Sequence, residues 1–318
     1  MHQPSPLDAT FQHPLTRPVP VVVLACFCCF LWGSAFPGVK IGYQIFAIEG
    51  SDTASQFIFA GLRFIFAGIL AVAGGSVAQR KVLLPKRAEW KWILLLMVFQ
   101  TIGQYIFYYI GLAHTTGVKG AILISSNTFF TILVSCLIFR LEKLTMTKMV
   151  ACLLGFGGVV ILNLQGLGSG GWVPPTLIGD GCILLCALSS GIAQSLTRVF
   201  SRGIDPVAMA GWQFFWGGVI MSLLGLAMGG HMEVQGAFGW GLLWYLGFVS
   251  AAGFSLWALL LKYNPPSRIA VYMFTNPIFG VVLSTLLLDE DGGVSWVLCI
   301  LALALVTAGI WVSSRKTA

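Results

Sequence analysis

The chain has 318 residues, of which 57% are hydrophobic and only 9% charged, giving a mean hydropathy of +0.89. That balance excludes a soluble globular protein, so the formal charge of +7 reports loop charge and topology and says nothing for nucleic-acid binding. The eight cysteines all fall inside apolar runs, without metal-ligand spacing or a disulfide partner in view, and read as small packing residues.

Residues 1–18 are polar and rich in proline, which predicts a disordered cytoplasmic tail, and no small-residue cleavage site follows it. Val19 therefore opens an uncleaved first span. Apolar stretches long enough to cross a bilayer follow at about 19–40, 54–78, 90–112, 117–139 and 147–165. A glycine-rich gap at 166–175 (GLGSGGWVPP) is the linker, and further spans are expected at 176–199, 206–228, 239–262, 266–288 and 294–313. The expectation is an all-α membrane protein of ten transmembrane helices in two five-helix units, 19–165 and 176–314.

Loop charge supports the count. With a cytoplasmic N-terminus, the inward-facing segments hold 15 of the 18 Lys and Arg residues, as the positive-inside rule requires. Lys40 and Lys119 lie outside, and Arg63 lies within a span. Arg63 needs a partner there, with Glu49 and Asp52 of the preceding loop as candidates.

The chain also reads as a repeat. Shifted by about 149 positions, Phe99, Ala121, Asn127, Phe130, Ser135 and Leu137 meet Phe248, Ala270, Asn276, Phe279, Ser284 and Leu286 without a gap. Elsewhere Gly33 aligns with Gly191, Lys40 with Arg198, Gly61 with Gly211 and Gly68 with Gly218. Five spans per unit is an odd number, so the second copy must be inverted, an arrangement that in transporters places substrate near the midplane between the halves.

The candidate site follows from that symmetry. Asn127, Thr131 and Ser135 form one helical stripe with Lys119 two turns earlier; the copy carries Arg268, Tyr272, Asn276, Gly280 and Ser284. Paired polar stripes at membrane depth point to a shared cleft; interhelical bonding that merely holds the bundle is the alternative. Gln104 and Tyr108 of the third span, Gln194 of the sixth and Trp32 of the first would line such a cleft, though the tyrosines also suit an interfacial belt. Lys119 and Arg268 could draw an anion or simply snorkel. Ser34, Gly38 and Gly42 form a face suited to close packing. Pro37 and Pro277 each free a carbonyl in a span, so either could mark a hinge.

Together, WGSAFPGVK in the first span, FAGLRFIFAG in the second, and the fourth span ending in Glu142-Lys143-Leu144-Thr145 resemble the EamA-type members of the drug/metabolite transporter superfamily. The resemblance covers about residues 20–314 and implies two inverted five-helix repeats in a bacterial inner membrane, exporting small metabolites or amphipathic drugs through a central cavity. Thr128 stands where that family often has the proline kept here at Pro277, which argues against matching hinges.

The expected function is thus a secondary transporter exporting amino acids or related amphipathic compounds by alternating access. A channel-like permease and an exporter of organic cations are the alternatives. The expected partners are a small-molecule substrate and the lipid bilayer, with no nucleic acid and no cofactor or metal; a homodimer stays open. An enzyme would need acids, His or Cys clustered at one depth, and no such cluster is legible.

Overall fold

Glycine and serine, more than bulk hydrophobicity, decide how this bundle closes, because lipid tails are as apolar as leucine and offer no drive for helices to associate. The computed structural model describes residues 13–114, 117–162, 178–233, 236–287 and 296–314. Among them the regular elements are helical: α1 (Pro18–Ile45), α2 (Thr53–Gln79), α3 (Trp90–Met97, a π turn Val98–Gly103, then Gln104–Ala113) and α4 (Gly117–Ile124, Asn127–Leu133, then a π turn Val134–Ile138). They continue as α5 (Met146–Leu162), α6 (Gly179–Phe200), α7 (Pro206–Ala227) and α8 (Gly236–Tyr263). Next come α9 (Pro266–Ala270, a 3-10 stretch Val271–Thr275, then Asn276–Leu287) and α10 (Trp296–Ser314).

Seven of these, α1, α2, α3, α6, α7, α8 and α9, are long and apolar enough to cross a membrane, and shorter apolar helices lie in α4, α5 and α10. Local chemistry sets the ends. Asp52 accepts from the Ser55 amide at 3.0 Å and so caps α2. Asp205 does the same for α7, with Pro206 following it. Large apolar side chains such as Leu137, Leu153, Leu223 and Ile300 remain exposed on the outside of the bundle, which suits a surface facing hydrocarbon.

The closest helix crossings run through the small residues. A Cβ on Gly61 would stand 2.7 Å from the Gly218 carbonyl oxygen, and one on Gly68 would stand 2.7 Å from that of Gly211. Positions rising along α2 meet positions falling along α7, so the two helices are antiparallel. The same holds for α5 and α10, where Gly158 faces Ala302 and Gly309 faces Ala151. Gly33 of α1 abuts Phe279 of α9, with 2.6 Å to its Cβ, while Gly191 of α6 abuts the Phe130 backbone of α4 at 2.8 Å. The Ser34 face packs as expected: Gly38 meets Leu246, Gly42 meets Phe59, and the Tyr245 hydroxyl donates to Ser34 Oγ at 2.7 Å.

Residues 13–17, placed in the tail by composition, instead form a 3-10 turn before α1. The His13 ring stacks on Tyr263 with centroids 3.8 Å apart, and Asn264 Nδ2 donates to the Leu15 carbonyl at 2.8 Å. The linker and residues 1–12 lie outside the described residues.

Candidate functional site

Both aligned asparagines begin a helix immediately after a break. Asn276 opens the last segment of α9 behind the 3-10 stretch, with Pro277 next to it. Asn127 opens a segment of α4 behind a turn at Ser125 and Ser126. Thr128 stands where a proline would match Pro277, and α4 is interrupted without one. Ser126 Oγ donates to the Leu123 carbonyl at 2.6 Å, offering the backbone an alternative to the helical ladder. Thr128 then donates to Asn127 Oδ1 and to the Ala270 carbonyl of α9, each at 3.2 Å. The two broken helices are thereby tied to each other.

Asn127 is 8% exposed. Thr131 and Ser135 on its stripe are fully buried; the Thr131 hydroxyl turns back onto its own helix, and that of Ser135 lies between the Ile132 carbonyl and Glu142. Asn276 Oδ1 and Trp32 Nε1, by contrast, are buried polar atoms without a hydrogen-bond partner. Each such atom costs about 1–3 kcal/mol unless water or solute meets it. Trp32 packs on Phe254 and Trp257 with centroids 4.9 and 5.1 Å apart, and Trp257 Nε1 donates to Gln194 Oε1 at 3.3 Å. Gln194 and Gln100 line a void of about 10 Å³, room for roughly one water. Trp32, Gln194 and their neighbours are thus brought together.

Gln104 and Tyr108 lie on α3 and keep part of their surface accessible. Tyr272 is buried, and its carbonyl accepts from Cys29 and Thr275. Arg268 serves elsewhere: its Nη1 donates to Asn264 Oδ1 at 3.0 Å and to the Thr16 carbonyl at 3.2 Å, fastening the chain before α1 to the α8–α9 corner. The Lys119 side chain lies outside the described residues.

The centre of the bundle is aromatic. Phe64 of α2 stacks on Phe214 of α7 at 5.1 Å, with the rings 9° from parallel. Tyr105 meets Phe64 edge-on at 4.7 Å, and Phe254 meets Phe214 edge-on at 4.7 Å. Beside this stack stand two matched polar contacts that the sequence reading passed over. Thr101 Oγ1, in the π turn of α3, donates to Gln213 Oε1 at 2.6 Å. Arg63 Nε donates to Ser250 Oγ of α8 at 3.1 Å. The ungapped shift that pairs Phe99 with Phe248 also pairs Thr101 with Ser250, and the shift pairing Gly61 with Gly211 pairs Arg63 with Gln213. Those offsets were the available signal. Neither proposed acid partner of Arg63 is used: Asp52 caps α2, and Glu49 offers a backbone carbonyl to Gln56.

One end of the bundle is latched. Glu142, after α4, accepts from Ser135 Oγ at 3.1 Å, from Lys148 Nζ at 2.7 Å, from the Ser267 amide at 2.9 Å, and from the Ser267 hydroxyl. Arg198 at the end of α6 donates to the last carbonyls of α8, at Leu261 and Lys262. A carboxylate on the amide of Ser267, in the first turn of α9, also sits where a helix end favours negative charge.

An all-helical membrane bundle with a polar, aromatic-walled centre and a latched end defines a polytopic membrane transporter. The chain belongs to the EamA-like transporter family, which it matches over residues 19–164 and 177–315. It is 28% identical to an uncharacterized transporter of Synechocystis over 277 residues, covering 82% of this chain and 81% of that one. A Bacillus subtilis relative, the uncharacterized transporter YvbV, is 25% identical, with 88% and 86% covered. A crystal structure matches with a TM-score of 0.76 at 16% identity, over 94% of this chain and 97% of that one; at that identity the likeness concerns the fold.

Proposed function

We propose that this chain is a secondary transporter that exports small metabolites, amino acids or related amphipathic compounds, across the cytoplasmic membrane. It does so by alternating access between two inverted five-helix repeats. The observation that carries the reading is reciprocity. Residues aligned between the halves make the same contacts with exchanged partners: Gly33 on Phe279 and Gly191 on Phe130, Gly61 on Gly218 and Gly68 on Gly211, Arg63 with Ser250 and Gln213 with Thr101. Exchanged contacts and antiparallel mates support an axis in the membrane plane, about which rocking would open either face in turn. The Lys and Arg partition supports a cytoplasmic location for both termini and the Glu142 end, and on that orientation the latched state would be closed to the inside. The orphan atoms of Trp32 and Asn276 support a solute contact beside the axis.

Flux in proteoliposomes tests this. Uptake from a metabolite panel should saturate, and Asn276→Leu should lower flux about tenfold, the worth of roughly one buried hydrogen bond. Flux that rises linearly with concentration for every solute would favour the channel reading, and unchanged flux in the variant would remove Asn276 from the site.

A further inference from the structure

We infer that Arg63 is an anion-recognition residue: it holds the carboxylate of an aromatic or similarly apolar acid whose body lies against Tyr43, Tyr105 and Tyr108. The inference rests on the transport reading and specifies the substrate class of its site.

Arg63 lies in the interior of α2 and is 7% exposed. A cation at such depth is costly without compensation. Its contacts are the neutral hydroxyl of Ser250, the Phe64 ring with its centroid 5.0 Å from the guanidinium, and the adjacent Tyr105 hydroxyl. Among the described residues no carboxylate forms an ion pair with it. Ser250 occupies Nε, and no carboxylate among the described residues meets the terminal nitrogens. Their planar arrangement beside the Tyr105 hydroxyl can grip a carboxylate with two parallel bonds.

The repeat supplies an internal control. Gln213 occupies the aligned position, takes the aligned hydroxyl of Thr101, and is fully buried. A neutral amide therefore suffices for the packing and the interhelical bond at this crossing. The charge at position 63 exceeds what the fold needs there.

The surrounding walls differ in the same sense. Tyr105, Tyr108 and Tyr109 beside Arg63 align with Phe254, Trp257 and Ala258 on the other side. Tyr43 of α1 reaches into the same group and pairs with Tyr109. Although enclosed by the bundle, Tyr43, Tyr105 and Tyr108 keep part of their surface accessible. Ring faces accept an apolar body, while hydroxyls donate to an acid group. An organic cation would meet Arg63 with like charge, which opposes the cation-export alternative.

The test compares 3-phenylpropanoate, its neutral amide and phenylalanine, measured both as binding to the purified full-length protein and as proteoliposome flux. Wild type should bind the carboxylate at least about tenfold more tightly than the amide, the scale of charge-assisted hydrogen bonds. Arg63→Gln, which copies the residue the fold tolerates at the aligned site, should abolish that preference, and Arg63→Lys should retain part of it. Phenylalanine binding as tightly as 3-phenylpropanoate would place zwitterionic acids within the class; weaker binding would restrict the class to acids without an ammonium group. Equal affinity for acid and amide in wild type overturns the inference and requires no variant, as does acid preference persisting in Arg63→Gln. Saturable flux of neutral solutes alone would sink the carboxylate while sparing transport. No saturable flux for any solute would sink the transport reading itself.

Discussion

Asn127 and Asn276 begin equivalent helices yet carry different burdens. Asn127 accepts from Thr128 and, through its carbonyl, from Thr131, whereas the Asn276 amide oxygen has no partner. The Trp32 indole N–H is likewise without a partner. If that donor serves a passing solute rather than the fold, Trp32→Phe should leave thermal stability within about 0.5 kcal/mol, because removing an unmet donor relieves a desolvation cost that roughly offsets the lost ring area. Flux should still fall severalfold. A fall in stability of more than about 2 kcal/mol, read by thermal unfolding in detergent, would assign Trp32 to packing. Such distinctions were only partly legible in the chain. The repeat singled out the two asparagines, and Trp32 and Gln194, expected along the same cleft, are linked through Trp257. The Arg63 contact was not legible, because Glu49 and Asp52 are near in sequence while Ser250, which meets its Nε, is 187 positions away.

At the scale of the element, two breaks and one latch set α4 and α9 apart from the regular helices. Proline announced the break in α9. The break in α4 went unannounced, since two serines carry no comparable sequence mark, and the π turn of α3 was equally silent. That turn leaves the Phe99 carbonyl to accept from Ser189 Oγ of α6 at 2.7 Å, so a local irregularity becomes an interhelical contact. The latch rests on one carboxylate with four donors. Glu142→Gln removes the charge that Lys148 and the first turn of α9 both favour, a loss of about 1–3 kcal/mol. Because the latch fastens one end, the expected outcome is a shift of population rather than unfolding. A cysteine introduced on α9 near Ser267 should react with a maleimide about tenfold faster in the Glu142→Gln background. Unchanged labelling would make Glu142 a fastening of loops without conformational consequence.

For the whole molecule, the helices lie close to the apolar runs of the sequence, seven of them long and apolar enough to cross a membrane and three shorter. Length in apolar sequence is legible because a bilayer demands it. Their neighbours were less legible, since which helix touches which is set by small residues whose meaning depends on the partner. Impermeant labelling of single cysteines placed after Thr16 and at Ser313 should find both on the cytoplasmic face, and opposite faces would break the two-unit plan.

The ring pair at the centre has a further consequence. Phe64 and Phe214 correspond under the shift that pairs Gly61 with Gly211, and they stack on each other. On the proposed alternating-access reading, that stack would look alike from either side of the membrane, so a substitution there would raise or lower the barrier between the two openings without preferring one of them. It would change turnover speed in both directions by a common factor. Directional preference would then originate off-centre, where the halves differ: an arginine against a glutamine, tyrosines against tryptophan and phenylalanine, and the glutamate that fastens one rim.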